Sequence, residues 1–187
     1  MKKIAFILIV AMLLTVAAFA KTSTSSPTKP TGFGLISVGG EKAPPVGDLL
    51  ITPYSAVGTA PTNVAAQLRT AKADLDNYSF EELVTDFAKK WKKATGGAPV
   101  ENAVCFALID VTITGNRDAK FDGKSPITFT MTVPGLSATD SVMLIAKHTG
   151  TWVEIENFSV GDGTITITMP TIFAFADFAI LIDNGAV

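Results

Sequence analysis

Ile127-Thr128-Phe129-Thr130-Met131-Thr132-Val133 alternates without an error, apolar side chains at odd positions and threonines at even ones. That period of two is the mark of a strand with one face in a core and the other in water. Thr164-Ile165-Thr166-Ile167-Thr168-Met169 repeats the pattern after an Asp162-Gly163 turn. Val104 to Ile113 is a long apolar segment that reads as a buried strand, and Val142 to Ala146 is another. Thr149-Gly150 is a turn, and Thr151 to Ile155 returns from it as a hairpin partner. Phe178 to Ile182 is apolar throughout and reads as the last, central strand. Strands at this spacing with turn signals between them predict an antiparallel sandwich.

Upstream of Pro99 the period changes from two to 3.6. Leu49-Leu50-Ile51 is a short first strand ended by Pro53, so the folded part starts near Asp48. Pro61-Thr62-Asn63 opens a helix, with Thr62 or Asn63 as the cap. Val64, Leu68, Ala71 and Leu75 share one face of it, and Asp76-Asn77 closes it. Ser79-Phe80-Glu81-Glu82 is a capping box that starts a second helix. Phe80, Leu83, Val84, Phe87 and Trp91 form its apolar stripe, four lysines fill its last turns, and Gly96-Gly97 ends it. The expected fold class is α+β: an antiparallel β-sandwich with a two-helix insertion after the first strand, helices at about 62–77 and 79–95.

The N-terminus has a different character. Met1-Lys2-Lys3 is basic, Ile4 to Val16 is an apolar run broken only by Thr15, and Ala18-Phe19-Ala20 offers a small-x-small step. This is the pattern of a secretory signal peptide, with retention of the run as a membrane anchor as the alternative. The expected organisation is a signal at 1–20, a flexible Ser/Thr/Pro/Gly linker at 21–46 and one domain at 47–184. Gly32 to Val38 is the more apolar part of that linker. No cysteine follows the apolar run and no sorting motif closes the chain, so the expected product is held by neither lipid nor wall.

Of fifteen basic residues, Lys2 and Lys3 leave with the signal, and thirteen remain against seventeen acidic ones. This mild acidity is unsuited to a phosphate backbone, so no nucleic-acid partner is expected. Cys105 is the only cysteine. It excludes an intramolecular disulfide, and its apolar surroundings mark it as a small buried hydrophobe.

Each chemical candidate has a plainer reading beside it. His148 is the only histidine, in a turn, with no nucleophile motif to serve. Glu154 and Glu156 fall on one strand face at a spacing that suits a glycoside-hydrolysing pair, or simply the wet face of an edge strand. Asn116-Arg117-Asp118 with Asp122-Gly123 gathers oxygen donors in one loop, as calcium sites do, but Arg117 and Lys120 weaken its field. Trp152 shares a face with Glu154; exposed, it would be a sugar-stacking ring, and buried, a packing residue. The threonine ladders suit solvated faces, since three per strand is short for gripping a repetitive polymer. No cofactor and no metal site are expected.

Leu50-Ile51-Thr52-Pro53-Tyr54 followed by two helices, then Phe106-Ala107-Leu108-Ile109-Asp110-Val111, Trp152-Val153-Glu154 and Phe178-Ala179-Ile180-Leu181-Ile182-Asp183, resembles an uncharacterised domain of extracellular surface proteins of Gram-positive anaerobes. The resemblance runs from about Asp48 to Asp183. It implies an immunoglobulin-like sandwich with a helical insert and a surface role, and it offers no catalytic residues. The expected function is a secreted, non-catalytic domain with a binding, adhesion or structural role toward a protein or glycan of the cell envelope, with no membrane contact after cleavage. The alternatives are a carbohydrate-binding module using Trp152 and a small glycan hydrolase using Glu154 or Glu156.

Overall fold

The computed structural model describes residues 32–38, 41–42, 49–113, 124, 126–170, 173 and 175–184. In chain order the elements are β1 (Gly32–Val38), β2 (Glu41–Lys42), β3 (Leu49–Pro53), α1 (Thr62–Asn77), α2 (Phe80–Leu83), α3 (Phe87–Thr95), β4 (Ala103–Ile113), β5 (Pro126–Thr132), β6 (Val142–His148), β7 (Thr151–Ile155), β8 (Phe158–Gly161), β9 (Thr164–Pro170) and β10 (Phe175–Asp183). They form two five-stranded sheets, ordered β2-β1-β5-β9-β8 and β3-β4-β10-β6-β7. Every pairing among them is antiparallel.

The two sheets enclose the first core. Ile127, Phe129 and Met131 of β5 and Ile165, Ile167 and Met169 of β9 meet Ile109, Leu144, Phe178 and Ile180 from the second sheet. Phe129 and Phe178 meet edge to face, ring centroids 6.5 Å apart. Each such buried side chain contributes about 1.5–3 kcal/mol. The alternation predicted for β5 and β9 is thus the alternation of core and surface. Outward, Thr128 bonds Thr168 at 2.9 Å and Thr130 bonds Thr166 at 2.7 Å, hydroxyl to hydroxyl across the strands.

A second core lies on the other face of the second sheet, beneath the helices. Val64, Leu68, Ala71 and Leu75 of α1, with Phe80, Phe87 and Trp91, pack on Leu108, Met143, Ile145, Ala179 and Leu181. This explains why β4, β6 and β10 read as unbroken apolar runs: they are covered on both faces. β10 lies at the middle of its sheet, as expected of the last strand. A bulge at Phe106 re-aims β4, so Cys105 faces the helices while Ala107 faces the sandwich.

Several expectations change. Gly32–Val38, read as part of a linker spanning 21–46, is β1 and pairs with β5 along its length. Its glycines and the bulge between Leu35 and Ser37 blur the period-two signal. The helices therefore follow the third strand rather than the first. The helix expected at 79–95 is two, because Val84 is extended and Asp86 takes a left-handed φ of 57°. The β-branched pair Val84-Thr85 weakens the helix there, and the break still lets Phe80, Val84, Phe87 and Trp91 all face inward. The Ser79–Glu82 capping box forms as expected. On α1, however, the N-cap position is Pro61 and no side chain caps it. β8 went unread. The signal at 1–20 and the Asn116–Asp122 loop lie outside the described residues.

Candidate functional site

Strand register brings five residues into one row on the helix-facing side of the second sheet. Thr52 of β3 lies opposite Asp110 of β4, Asp110 opposite Asp177 of β10, Asp177 opposite Lys147 of β6, and Lys147 opposite Trp152 of β7. Directly opposed side chains start about 4.5–5.5 Å apart, so each residue of the row faces the next. Asp110 is 1% exposed and Asp177 6%.

α1 completes the row. Asp74 extends from its surface and accepts from Lys147 Nζ at 2.6 Å and from Trp152 Nε1 at 2.9 Å, both on Oδ2. A helix is thereby pinned to two strands through one carboxylate oxygen. At the other end of the row Thr112 donates its hydroxyl to Asp110 Oδ1 at 2.7 Å. Asp177 Oδ1 has no hydrogen-bond partner among the described residues.

The electrostatics of this row do not balance. Among the described residues, Asp74, Asp110 and Asp177 face a single ammonium, Lys147. Two ionised carboxylates side by side in a low-dielectric layer are costly, and the cheaper state adds a proton. Burial first, then the neighbouring Asp110, pushes the Asp177 carboxyl up to about 7, although Lys147 pulls it down. Burial also raises Asp110, offset in part by the bond from Thr112. The adjacent pair titrates as a unit that retains a proton toward neutral pH. Its burial withholds it from any macromolecular substrate. Among the described residues no group of three or more His, Cys, Asp or Glu side chains is placed to hold a metal ion.

Where α1 meets the β6–β7 turn, the row opens onto a surface cleft of about 300 Å³. It is lined by Asp74, Tyr78, Glu82, Leu83, Gly150, Thr151 and Trp152. The turn that forms one wall has Thr149 and Gly150 at φ of 49° and 85°, the left-handed pair that a tight hairpin requires. Tyr78, just past the end of α1, is 54% exposed. Glu82 is committed to its capping box: its Oε2 accepts from the Ser79 backbone N–H at 2.7 Å and from the Ser79 hydroxyl at 2.9 Å. Those two bonds hold its carboxyl below the usual range.

The residues singled out in the sequence fall as follows. Trp152 is 4% exposed, packed under the helices with its N–H bound to Asp74, so of its two readings the packing residue fits and the exposed sugar-stacking ring does not; only its edge reaches the cleft. Glu154 lies 4.0 Å from Lys90, and Glu156, just past the end of β7, 3.6 Å from Lys93. Burial, then Glu156, raises the Glu154 carboxyl, while both lysines lower it. His148 ends β6 with its ring edge-on to Phe173 at 5.7 Å. Cys105 is buried, and burial pushes its thiol up to about 12, the state of an inert core cysteine.

Asp74, Tyr78, Asp110 and Asp177 escaped the sequence reading. Asp74 reads as ordinary helix surface, and Tyr78 as a ring at the end of an element. Asp110 and Asp177 carried a legible signal, a carboxylate inside or beside an apolar strand run, where charge belongs only with a partner. The chain matches no family model, no curated protein and no solved structure.

Proposed function

We propose that the chain is an exported, non-catalytic binding domain that works at the cell surface, and that the cleft beside Tyr78 is its binding site. The exposed Tyr78 ring carries this reading: it is a large ring left beside a concave surface, with two carboxylates and the edge of Trp152 around it. Recognition surfaces favour such aromatic residues, which supply contact area at small entropic cost. The signal-like N-terminus supports export, and the resemblance to extracellular surface domains supports both a surface role and the immunoglobulin-like class of the sandwich. The carbohydrate-binding alternative is left with Tyr78 in place of Trp152 as its ring.

Retention of the purified protein on cell-envelope fractions tests the reading. Tyr78→Ala should weaken retention about tenfold, the loss typical of one hot-spot side chain, while leaving the melting temperature close to that of the parent. Equal retention of the parent and the variant would overturn the cleft as the site. The glycan-hydrolase reading rests on the raised Glu154 beside Glu156. Polysaccharide cleavage by the parent, abolished in a Glu154→Gln, Glu156→Gln double variant, would put that reading first.

A further inference from the structure

Lys147 has a second acceptor within reach. Its ammonium rests on Asp74 Oδ2 at 2.6 Å, the α1 oxygen that also accepts the Trp152 N–H at 2.9 Å. The strand register sets another carboxyl directly opposite it, Asp177 of β10. Opposed side chains start about 4.5–5.5 Å apart, well inside the span of a flexible four-carbon stem. Asp177 Oδ1 is buried and has no donor among the described residues. A donor that holds one acceptor thus sits beside a buried acceptor that holds none.

The proton on Asp177 decides between the two. A neutral carboxyl attracts an ammonium weakly, and an ionised one in a buried layer attracts it strongly. Three charged groups act on Asp177: Asp110 from β4, Lys147 from β6 and Asp74 from α1. The neighbouring lysines of the helix layer are turned elsewhere. Lys72 pairs with Asp76, and Lys90 and Lys93 of α3 lie toward Glu154 and Glu156. His148 follows Lys147 along β6 and so falls on the sandwich face, edge-on to Phe173. Because burial and Asp110 keep the proton on Asp177 up to about 7, the choice is made near neutrality.

We propose that Lys147 is a two-position latch for α1 and for the cleft that α1 walls. With Asp177 protonated, the ammonium stays on Asp74 and clamps the helix to β6. With Asp177 ionised, it swings to Asp177, and Asp74 keeps the Trp152 N–H but regains its full charge at the cleft. The helical wall is therefore held tightest below the switch and loosens above it. The proposal rests on the reading of the cleft as a binding site and adds its control.

The two tryptophans provide the test. The Trp152 N–H lies on Asp74, whereas the Trp91 N–H lies outside the row, on the Pro99 carbonyl at 2.9 Å. Their indole signals in the full-length protein, followed by nitrogen–proton NMR from about pH 5.5 to about pH 8.5, should part company. Trp152 should shift with a midpoint of about 7, and Trp91 should stay in place. Asp177→Asn should abolish the Trp152 shift, and Asp110→Asn should move its midpoint down. Envelope retention of the parent should fall severalfold over the same range, and that of Asp177→Asn should not. A Trp152 signal flat with pH, or shifting alike in parent and Asp177→Asn, overturns the latch and leaves the cleft untouched. A Trp152 shift with retention that depends on Tyr78 but not on pH overturns the control of the cleft. Retention indifferent to Tyr78→Ala overturns the cleft as the site, while the Trp152 shift still supports the latch.

Discussion

Two pairs of like residues face each other across strands in this molecule, and they behave in opposite ways. On the outer face of the first sheet Thr130 meets Thr166, and Thr128 meets Thr168. On the helix-covered face of the second, Asp110 meets Asp177. A hydroxyl both donates and accepts, so a threonine pair satisfies itself and needs nothing from outside. Two carboxylates only accept, so an aspartate pair is satisfied only when one of them carries a proton. The first pairing is indifferent to pH and sits near water. The second is buried, leaves Asp177 Oδ1 without a described donor and makes the helix layer's attachment sensitive to protons.

The largest effect should come from removing the only cation of the row. Lys147→Met takes the partner from Asp74 and the compensating charge from Asp177, and should destabilise the domain by about 3 kcal/mol at pH 8 in urea unfolding. At pH 5, where Asp177 carries its proton anyway, the loss should shrink. A loss equal at both pH values would show that the lysine serves packing alone.

Next comes the pH profile itself. Asp177 holds its proton in the folded state up to about 7, whereas an unfolded aspartate releases it near 3.9. Between those values the folded state binds more protons, so this stabilising contribution is complete below about pH 4 and is lost as pH rises to 7. Asp177→Asn removes the linkage. It should flatten the profile and make the variant about 2 kcal/mol more stable than the parent at pH 8, with the two converging or crossing near pH 4. A parent whose stability rises from pH 5 to 8 by the same amount as the variant's would refute the assignment.

The smallest effect belongs to the threonines. Thr130→Val breaks one half-buried hydroxyl pair, keeps strand propensity, and should change stability by less than about 1 kcal/mol with no pH dependence. A large or pH-dependent change there would erase the contrast between the two faces.

Much of this fold was legible because its strands report their surroundings. β5 and β9 alternate since one face is wet, and β4, β6 and β10 do not since both are covered. The same rule hid the helix-facing row. The hydrophobic runs around Asp110 and Asp177 drew the eye to packing, and no local pattern says that residues on β3, β4, β10, β6 and β7 stand in register. β1 was obscured by Gly32 and Gly34, which carry no side chain to alternate. The cleft was invisible for a further reason: Tyr78 and Thr151 are brought together by α1 crossing the sheet, and their spacing along the chain carries no trace of it.

Everything at the site depends on Asp110 and Asp177 being neighbours beneath α1, because the same register aligns Lys147 and Trp152 under Asp74 and so builds the wall of the cleft. A carboxyl-carbon NMR titration of the full-length protein, with Asp110→Asn and Asp177→Asn to assign the signals, measures this directly. One carboxyl of the pair should titrate near pH 7 and move partway down when the other is made neutral, because burial, the larger cause, remains. Two independent titrations, both below about pH 5 and indifferent to each other's substitution, would contradict the register and the site built on it.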